Sequence, residues 1–136
     1  VVTVALVTYP ILKGLVGRDR PPWQNPAALA SSLSYPSGHA TMANAAAAVF
    51  SSILGGEIEF SDRSHDGRKE FLGKPRQYHS FQEIAKENSI SRLSGGVHFR
   101  MDCEEGYRLG GIVGEKVVAL DLWKTGKWTD GKAFKN

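Results

Sequence analysis

Two histidines and three cations, set in a few short motifs, define the chemistry this chain can offer. His98 and Asp102 are one helical turn apart, so the carboxylate can accept a hydrogen bond from one imidazole nitrogen and leave the other lone pair directed outward. A histidine held in this way serves as a nucleophile or as a ligand to an electrophilic centre. Gly95 and Gly96, just ahead of it, allow the backbone to approach a bound group closely. A second motif is Pro36-Ser37-Gly38-His39. With Pro36 at the first helical position, it gathers free N–H groups, a hydroxyl and the positive end of a helix dipole at one spot, with an imidazole beside them. Lys13 and Arg20 are seven residues apart and project from one face if the helix continues through both; an anion between them would relieve their repulsion. Arg92, following Ser91, is the third cation. Taken singly, these motifs read as a solvated helix face, an ordinary N-cap and a salt-bridged helix start. Together they are what a tetrahedral oxyanion needs in order to be held and attacked.

The elements that must position these groups are helical. Four segments are expected: residues 2–17, with Val4, Val7, Ile11 and Leu15 at helical spacing; 36–54, rich in alanine and ended by Gly55-Gly56; 81–93, opened by a Ser80/Glu83 capping box; and a last helix from about Phe99 or Asp102 to Leu122. Gly106, Gly110 and Gly114 form one stripe on that last helix, where another helix can approach closely. Pro21, Pro22 and Pro26 impose an extended loop around Trp23. Residues 57–78 read as a polar surface loop with a short extended piece at 58–60, and His65 and His79 as exposed residues of that loop or its edge. The fold class is therefore all-α, a helical bundle of about four main helices. Residues 1–123 form its oxyanion-binding catalytic domain, and residues 124–136 a polar, frayed tail.

Composition narrows the function classes. The 136 residues allow one domain, and 41% hydrophobic with 23% charged residues argues for a folded core and against disorder or a membrane-embedded bundle. The net charge of +3 comes from scattered basic residues with no interleaved aromatic platform, so nucleic acid is not an expected partner. Cys103 stands alone, which excludes an internal disulfide and reads as a small buried hydrophobe. The apolar opening to Leu12 is interrupted by Pro10 and stopped by Lys13, short of the ~18 residues of a spanning helix, so this chain requires no membrane. It opens on Val1 with no lead-in, and we read it as the C-terminal, site-bearing part of a larger protein.

In order and spacing, Lys13 with six residues before Arg20-Pro21, then Pro36-Ser37-Gly38-His39, then Ser91-Arg92 with five residues before His98 and three more before Asp102 resemble a known signature. The chain is similar to the superfamily of vanadium-dependent haloperoxidases and type-2 phosphatidic acid phosphatases, over about Lys13 to Gly114. Gly-Gly-Val-His98-Phe-Arg-Met-Asp102, Tyr78-His-Ser-Phe81 and Tyr35-Pro-Ser-Gly-His-Ala-Thr41 resemble the bacterial haloperoxidase-like branch, whereas Gly17-Arg-Asp-Arg20-Pro would suit a phosphatase.

The resemblance implies vanadate as cofactor. His98 would ligate its vanadium with Asp102 fixing the ring, and Lys13, Arg20, Arg92, the Ser37 hydroxyl and the Gly38 N–H would neutralise its oxygens. His39 would act as acid-base toward hydrogen peroxide, and Lys13 would polarise the bound oxidant for attack by halide, releasing hypohalous acid. The implied substrates are hydrogen peroxide and a halide, and the implied location is secreted or periplasmic. The alternative keeps the same residues for a phosphate ester: His98 attacks phosphorus to give a phosphohistidine and His39 protonates the leaving alcohol, with no vanadate. A non-catalytic anion-binding domain is the third reading, and both histidines with Asp102 argue against it. A divalent-metal hydrolase using His39, His98 and Asp102 is disfavoured by the three surrounding cations. Trp23, Trp123, Trp128 and Phe99 could line the substrate entrance, although large aromatics more often serve as packing residues.

Overall fold

The computed structural model describes residues 2–22, 33–70 and 73–120. Four helices and one small hairpin are built from them: α1 (Val2–Val16), α2 (Gly38–Leu54), strands β1 (Phe60–Asp62) and β2 (Arg76–Tyr78), α3 (Phe81–Ser94) and α4 (Arg100–Ala119). The all-α bundle expected from the sequence is the architecture found. Trp23, Pro26, Trp123, Trp128 and the 124–136 tail lie outside the described residues.

Helix α1 passes through Pro10 and stops where Gly17 takes a left-handed φ of 65° and returns its N–H to the Lys13 carbonyl at 2.9 Å. Arg20 therefore does not share a helix face with Lys13, as the seven-residue spacing suggested; it reaches the site from the segment beyond the cap. The apolar stripe of this helix also faces away from the bundle, with Val7, Ile11 and Leu15 exposed. Its inward face is Ala5, Tyr9 and Lys13, of which Ala5 and Lys13 are buried.

Helix α2 is the centre of the fold. Ser37 caps it, its hydroxyl accepting from the Ala40 N–H at 3.4 Å, so Gly38 and not Pro36 opens the helix. The glycine stripe of α4 lies against it. A Cβ added at Gly106 would sit 2.5 Å from the Ser37 carbonyl oxygen, at Gly110 2.3 Å from that of Thr41, and at Gly114 2.5 Å from the Ala48 Cβ. Those separations leave no room for a side chain, so the two backbones touch directly. The apolar core beside this contact is thin, with Ala5, Ala45 and Val113 buried and Met42 and Leu109 packed on them.

On its other side α2 runs antiparallel to α3, joined by a Ser51 to Gln82 hydrogen bond of 3.0 Å and a tilted Phe50–Phe81 ring contact with centroids 5.4 Å apart. Helix α3 begins as expected at Ser80, whose hydroxyl accepts from the Glu83 N–H at 3.2 Å. Glu83 answers one residue further back, accepting from the His79 N–H at 2.6 Å. The polar 57–78 stretch holds a paired element that the sequence did not indicate: β1 and β2 are antiparallel with Phe60 opposite Tyr78, and the extended piece sits at 60–62 instead of 58–60. Among the described residues no helix is long and apolar enough to cross a membrane.

Candidate oxyanion site

Asp102 is the point on which the site is built. Its side chain is fully buried in the first turn of α4, and each group around it comes from a different part of the chain. One carboxylate oxygen, Oδ2, accepts from the Phe99 N–H at 2.9 Å, which caps the helix, and from the Ser34 hydroxyl. The other, Oδ1, faces a guanidinium nitrogen of Arg18 at 3.2 Å. The Asp102 carbonyl accepts from the Ser37 N–H at 2.9 Å, tying the start of α2 to the start of α4.

His98 precedes α4 and so is not one helical turn from Asp102 within a helix. Its Nδ1 lies 3.6 Å from Asp102 Oδ2, an ion-pair separation longer than a hydrogen bond, and 3.3 Å from the Ser34 hydroxyl, which bridges the two. The ring is buried. Burial, assisted by Arg20 and Lys13 and opposed by Asp102, depresses its pKa to about 4. At neutral pH the imidazole is uncharged and keeps a lone pair for an electrophile.

The cations converge on this ring from three elements. Lys13 is buried, its ammonium donating to the Leu33 carbonyl and to that of Ser34 at 3.3 Å and lying 6.0 Å from the centre of the Tyr9 ring. Burial, and next the nearby Arg20, bring its pKa down to about 8. Arg20 donates to the Val97 carbonyl at 2.8 Å, next to His98, and its own pKa is lowered by burial and by Arg92. Arg92, in the last turn of α3, has a buried Nε with no hydrogen-bond partner among the described residues. Such a donor normally finds an acceptor, and an oxyanion is the acceptor this surrounding suits. His39 stands exposed in the first turn of α2, its pKa lowered by partial burial and by Arg92, Arg20 and Lys13 in turn. Gly38 is buried beneath the Tyr9 ring, which a Cβ would meet at 2.8 Å.

Lys13, Arg20, His39, Arg92, His98 and Asp102 thus share one electrostatic neighbourhood, with Ser37 and Gly38 at its edge. Two members were not singled out from the sequence. Ser34 is fully buried between His98 and Asp102. Arg18 pairs with Asp102, reaches the Met101 sulfur at 3.0 Å and lies 5.4 Å from the Tyr35 ring centre. Proximity to the motifs was the available signal, since Ser34 directly precedes Tyr35-Pro-Ser-Gly-His and Arg18 lies inside Gly-Arg-Asp-Arg. His79 is remote in role, exposed and 3.3 Å from Glu59. Among the described residues no three His, Cys, Asp or Glu side chains are placed to hold a metal ion directly. Cys103 is buried, its thiol pushed up to about 11 by burial, in keeping with a packing role.

The helical bundle gathers three cations around a neutral, buried histidine, the set of groups a tetrahedral oxyanion would need. Residues 14–123 match the family described as the VCPO second helical-bundle domain, and the chain belongs to that family, within the vanadium haloperoxidase superfamily. The chain is similar to the solved structure of the first bacterial vanadium-dependent iodoperoxidase, at 32% identity and a TM-score of 0.58, over 74% of this chain and 23% of that one. It shares the fold of the apo and holo forms of a bacterial vanadium-dependent chloroperoxidase, each at 21% identity over 62% of this chain and 20% of that one, with TM-scores of 0.51 and 0.52. This chain thus spans about a quarter or less of the length of these solved structures. Among curated proteins none matches.

Proposed function

We propose that this chain is the vanadate-binding part of a haloperoxidase that oxidises a halide with hydrogen peroxide to hypohalous acid. The observation that carries this reading is the buried Nε of Arg92, without a hydrogen-bond partner among the described residues, in the same electrostatic neighbourhood as Arg20, Lys13 and the uncharged His98. The donor set fits an oxyanion and not a bare divalent cation, because positive groups outnumber the one buried carboxylate.

Arg20, Arg92, Lys13, the Ser37 hydroxyl and the Gly38 N–H would hold the oxygens of vanadate, and His98 would offer its outward ring nitrogen to the vanadium. The bound group supplies Lewis acidity that activates peroxide toward a halide. Ser34 and Asp102 fix the His98 ring and its tautomer, leaving the opposite nitrogen free of a proton. His39, uncharged because burial and three cations lower its pKa, would take a proton from hydrogen peroxide at its ring nitrogen and deliver it to the hydroxide-level oxygen that leaves as water. The buried Lys13 keeps positive charge beside the reacting oxygens, held in place by the Leu33 and Ser34 carbonyls. Residues 1–123 are proposed as the catalytic portion, exported with the rest of the protein to a secreted or periplasmic location.

The test is to incubate the protein with orthovanadate and follow iodide and bromide oxidation by hydrogen peroxide, alongside hydrolysis of a chromogenic phosphate ester without vanadate. Vanadate-dependent halide oxidation is the expected result, and His98→Ala should lower it by at least ~100-fold. Ester hydrolysis with no vanadate-dependent oxidation would overturn the proposal in favour of a phosphatase using His98 as nucleophile.

A further inference from the structure

Met101 lies in the first turn of α4, next to Asp102 in sequence but on the outside of the bundle, with 52% of its surface exposed. One guanidinium nitrogen of Arg18, Nη1, donates both to the Met101 sulfur at 3.0 Å and to Asp102 Oδ1 at 3.2 Å. A single donor atom is thus divided between a neutral, exposed thioether and a fully buried carboxylate. Thioether sulfur is a weak acceptor, so the carboxylate has the larger hold on Arg18 while the sulfur is reduced. The guanidinium also stands over the Tyr35 ring, 5.4 Å from its centre, which keeps it close to both acceptors.

Because Asp102 and Ser34 fix His98, this shared nitrogen stands one step behind the oxyanion site. Met101, Arg18, Asp102, Ser34 and His98 form a continuous chain of polar contacts, and its outer end is the one that an oxidant in solution can reach. The other methionine, Met42, is half-buried and packed on the core. Cys103 is buried and its thiol stays protonated, which makes it slow to oxidise.

We propose that Met101 is an oxidation site whose sulfoxide draws Arg18 away from Asp102 and so weakens the oxyanion site. A sulfur lone pair attacks one oxygen of hydrogen peroxide, the O–O bond breaks and an S–O bond forms. The second oxygen takes the proton of the first and leaves as water; sulfur loses two electrons and the peroxide gains them. The sulfoxide oxygen is polar and is carried on a flexible side chain, so it competes for Nη1 where the sulfur could not. Asp102 then keeps its Ser34 and Phe99 donors but loses the cation that balances its buried charge, and its control of the His98 ring loosens. The supply of peroxide rests on the function proposed above, whereas the coupling from Met101 to His98 does not.

The test exposes the vanadate-free protein to hydrogen peroxide, removes the peroxide with catalase and maps oxygen uptake by peptide mass spectrometry. Met101 should gain one oxygen before Met42 does. Vanadate affinity should then fall by ~10-fold, the lower end of what a supporting partner of a ligating histidine is worth, and methionine sulfoxide reductase should restore it. Met101→Leu should bind vanadate as the parent does and lose the response to peroxide, and Met101→Gln, which supplies an amide oxygen, should show the weakened binding with no oxidant. Circular dichroism checks that each variant is folded. Oxidation of Met42 first, unchanged affinity in the Met101 sulfoxide, or a peroxide response that persists in Met101→Leu would each overturn the proposal. The His98 ring-proton NMR signals, identified by their loss in His98→Ala, give a second readout that needs no vanadate: they should shift on oxidation and return on reduction. A shift and return of those signals in a protein that binds no vanadate keeps the oxidation site and removes the function proposed above; vanadate-dependent iodide oxidation with an affinity indifferent to Met101 oxidation does the reverse.

Discussion

Helix α2 meets its two main neighbours with the same kind of residue, small ones, and obtains opposite results. Against α4 the partner also gives up its side chains: Gly106, Gly110 and Gly114 bring the backbones into contact. Against α3 the partner offers Ile84, Asn88 and the Phe81 ring, whose side chains stand between the backbones and leave an open groove. Alanine on one helix is therefore not enough to close an interface; the facing residue decides. The closed contact fixes Ser37 against Asp102, and the open one leaves a groove lined by Ala43, Ala47, Ile84 and Asn88. Close backbone contact and an open groove are thus placed on opposite sides of a single helix.

The largest effect should come from spoiling the closed side. Gly110→Val would drive its side chain into the Thr41 carbonyl, and we expect a loss of ~3 kcal/mol or more, or no folded protein, measured by urea denaturation. If Gly110→Val folds with parent stability, the backbone contact is not what holds α4 in place. Next is Ser34→Ala, which removes the hydroxyl bridging His98 and Asp102. It should reduce vanadate affinity by ~10- to 100-fold with little change in secondary structure, checked by vanadate titration and circular dichroism.

A smaller, graded effect follows from pH. Lys13 loses its proton as pH rises through about 8, so vanadate affinity should decline above that pH. In the vanadate-free protein both buried groups make stability depend on pH. Lys13 has a folded pKa below its unfolded 10.5, so its destabilising burial is relieved as pH rises from 8 toward 10.5. His98, at about 4 against 6.5 unfolded, withdraws stability as pH falls from 6.5 toward 4. Thermal melts across both windows check the two slopes. The smallest effect belongs to the open side: Ala46→Ser should shift stability by less than ~0.5 kcal/mol, because its side chain meets the open groove and not backbone. A loss comparable to that of Gly110→Val would erase the distinction between the two faces.

Much of this arrangement was legible before the fold. Lys13, Arg20, His39, Arg92, His98 and Asp102 announce themselves by residue type and spacing, and Gly106, Gly110 and Gly114 by a four-residue period. What spacing could not supply was contact between distant segments. Ser34 meets Asp102 across 68 positions, and a serine beside a motif has no periodic mark to show it. Local geometry misled in two places, because Gly17 ends α1 before Arg20 and α4 begins after His98; each pair meets through loops and not along a helix face. The β1/β2 hairpin was hidden because three residues on each side, in polar sequence, give alternation too little length to register. The α2/α3 groove depends on how two helices are matched in register, which no single segment records.

Asp102 both caps α4, through the Phe99 N–H, and steers His98, through Ser34. Unwinding of the first turn of α4 would therefore free the imidazole in the same event, so the site exists only for as long as that turn is wound. Amide exchange at Phe99 and Cys103 would then act as a clock on the histidine: the fraction of time those protons are protected is the fraction of time the ring is aimed. A ligand that captures the aimed ring should slow that clock from a distance, without touching either amide.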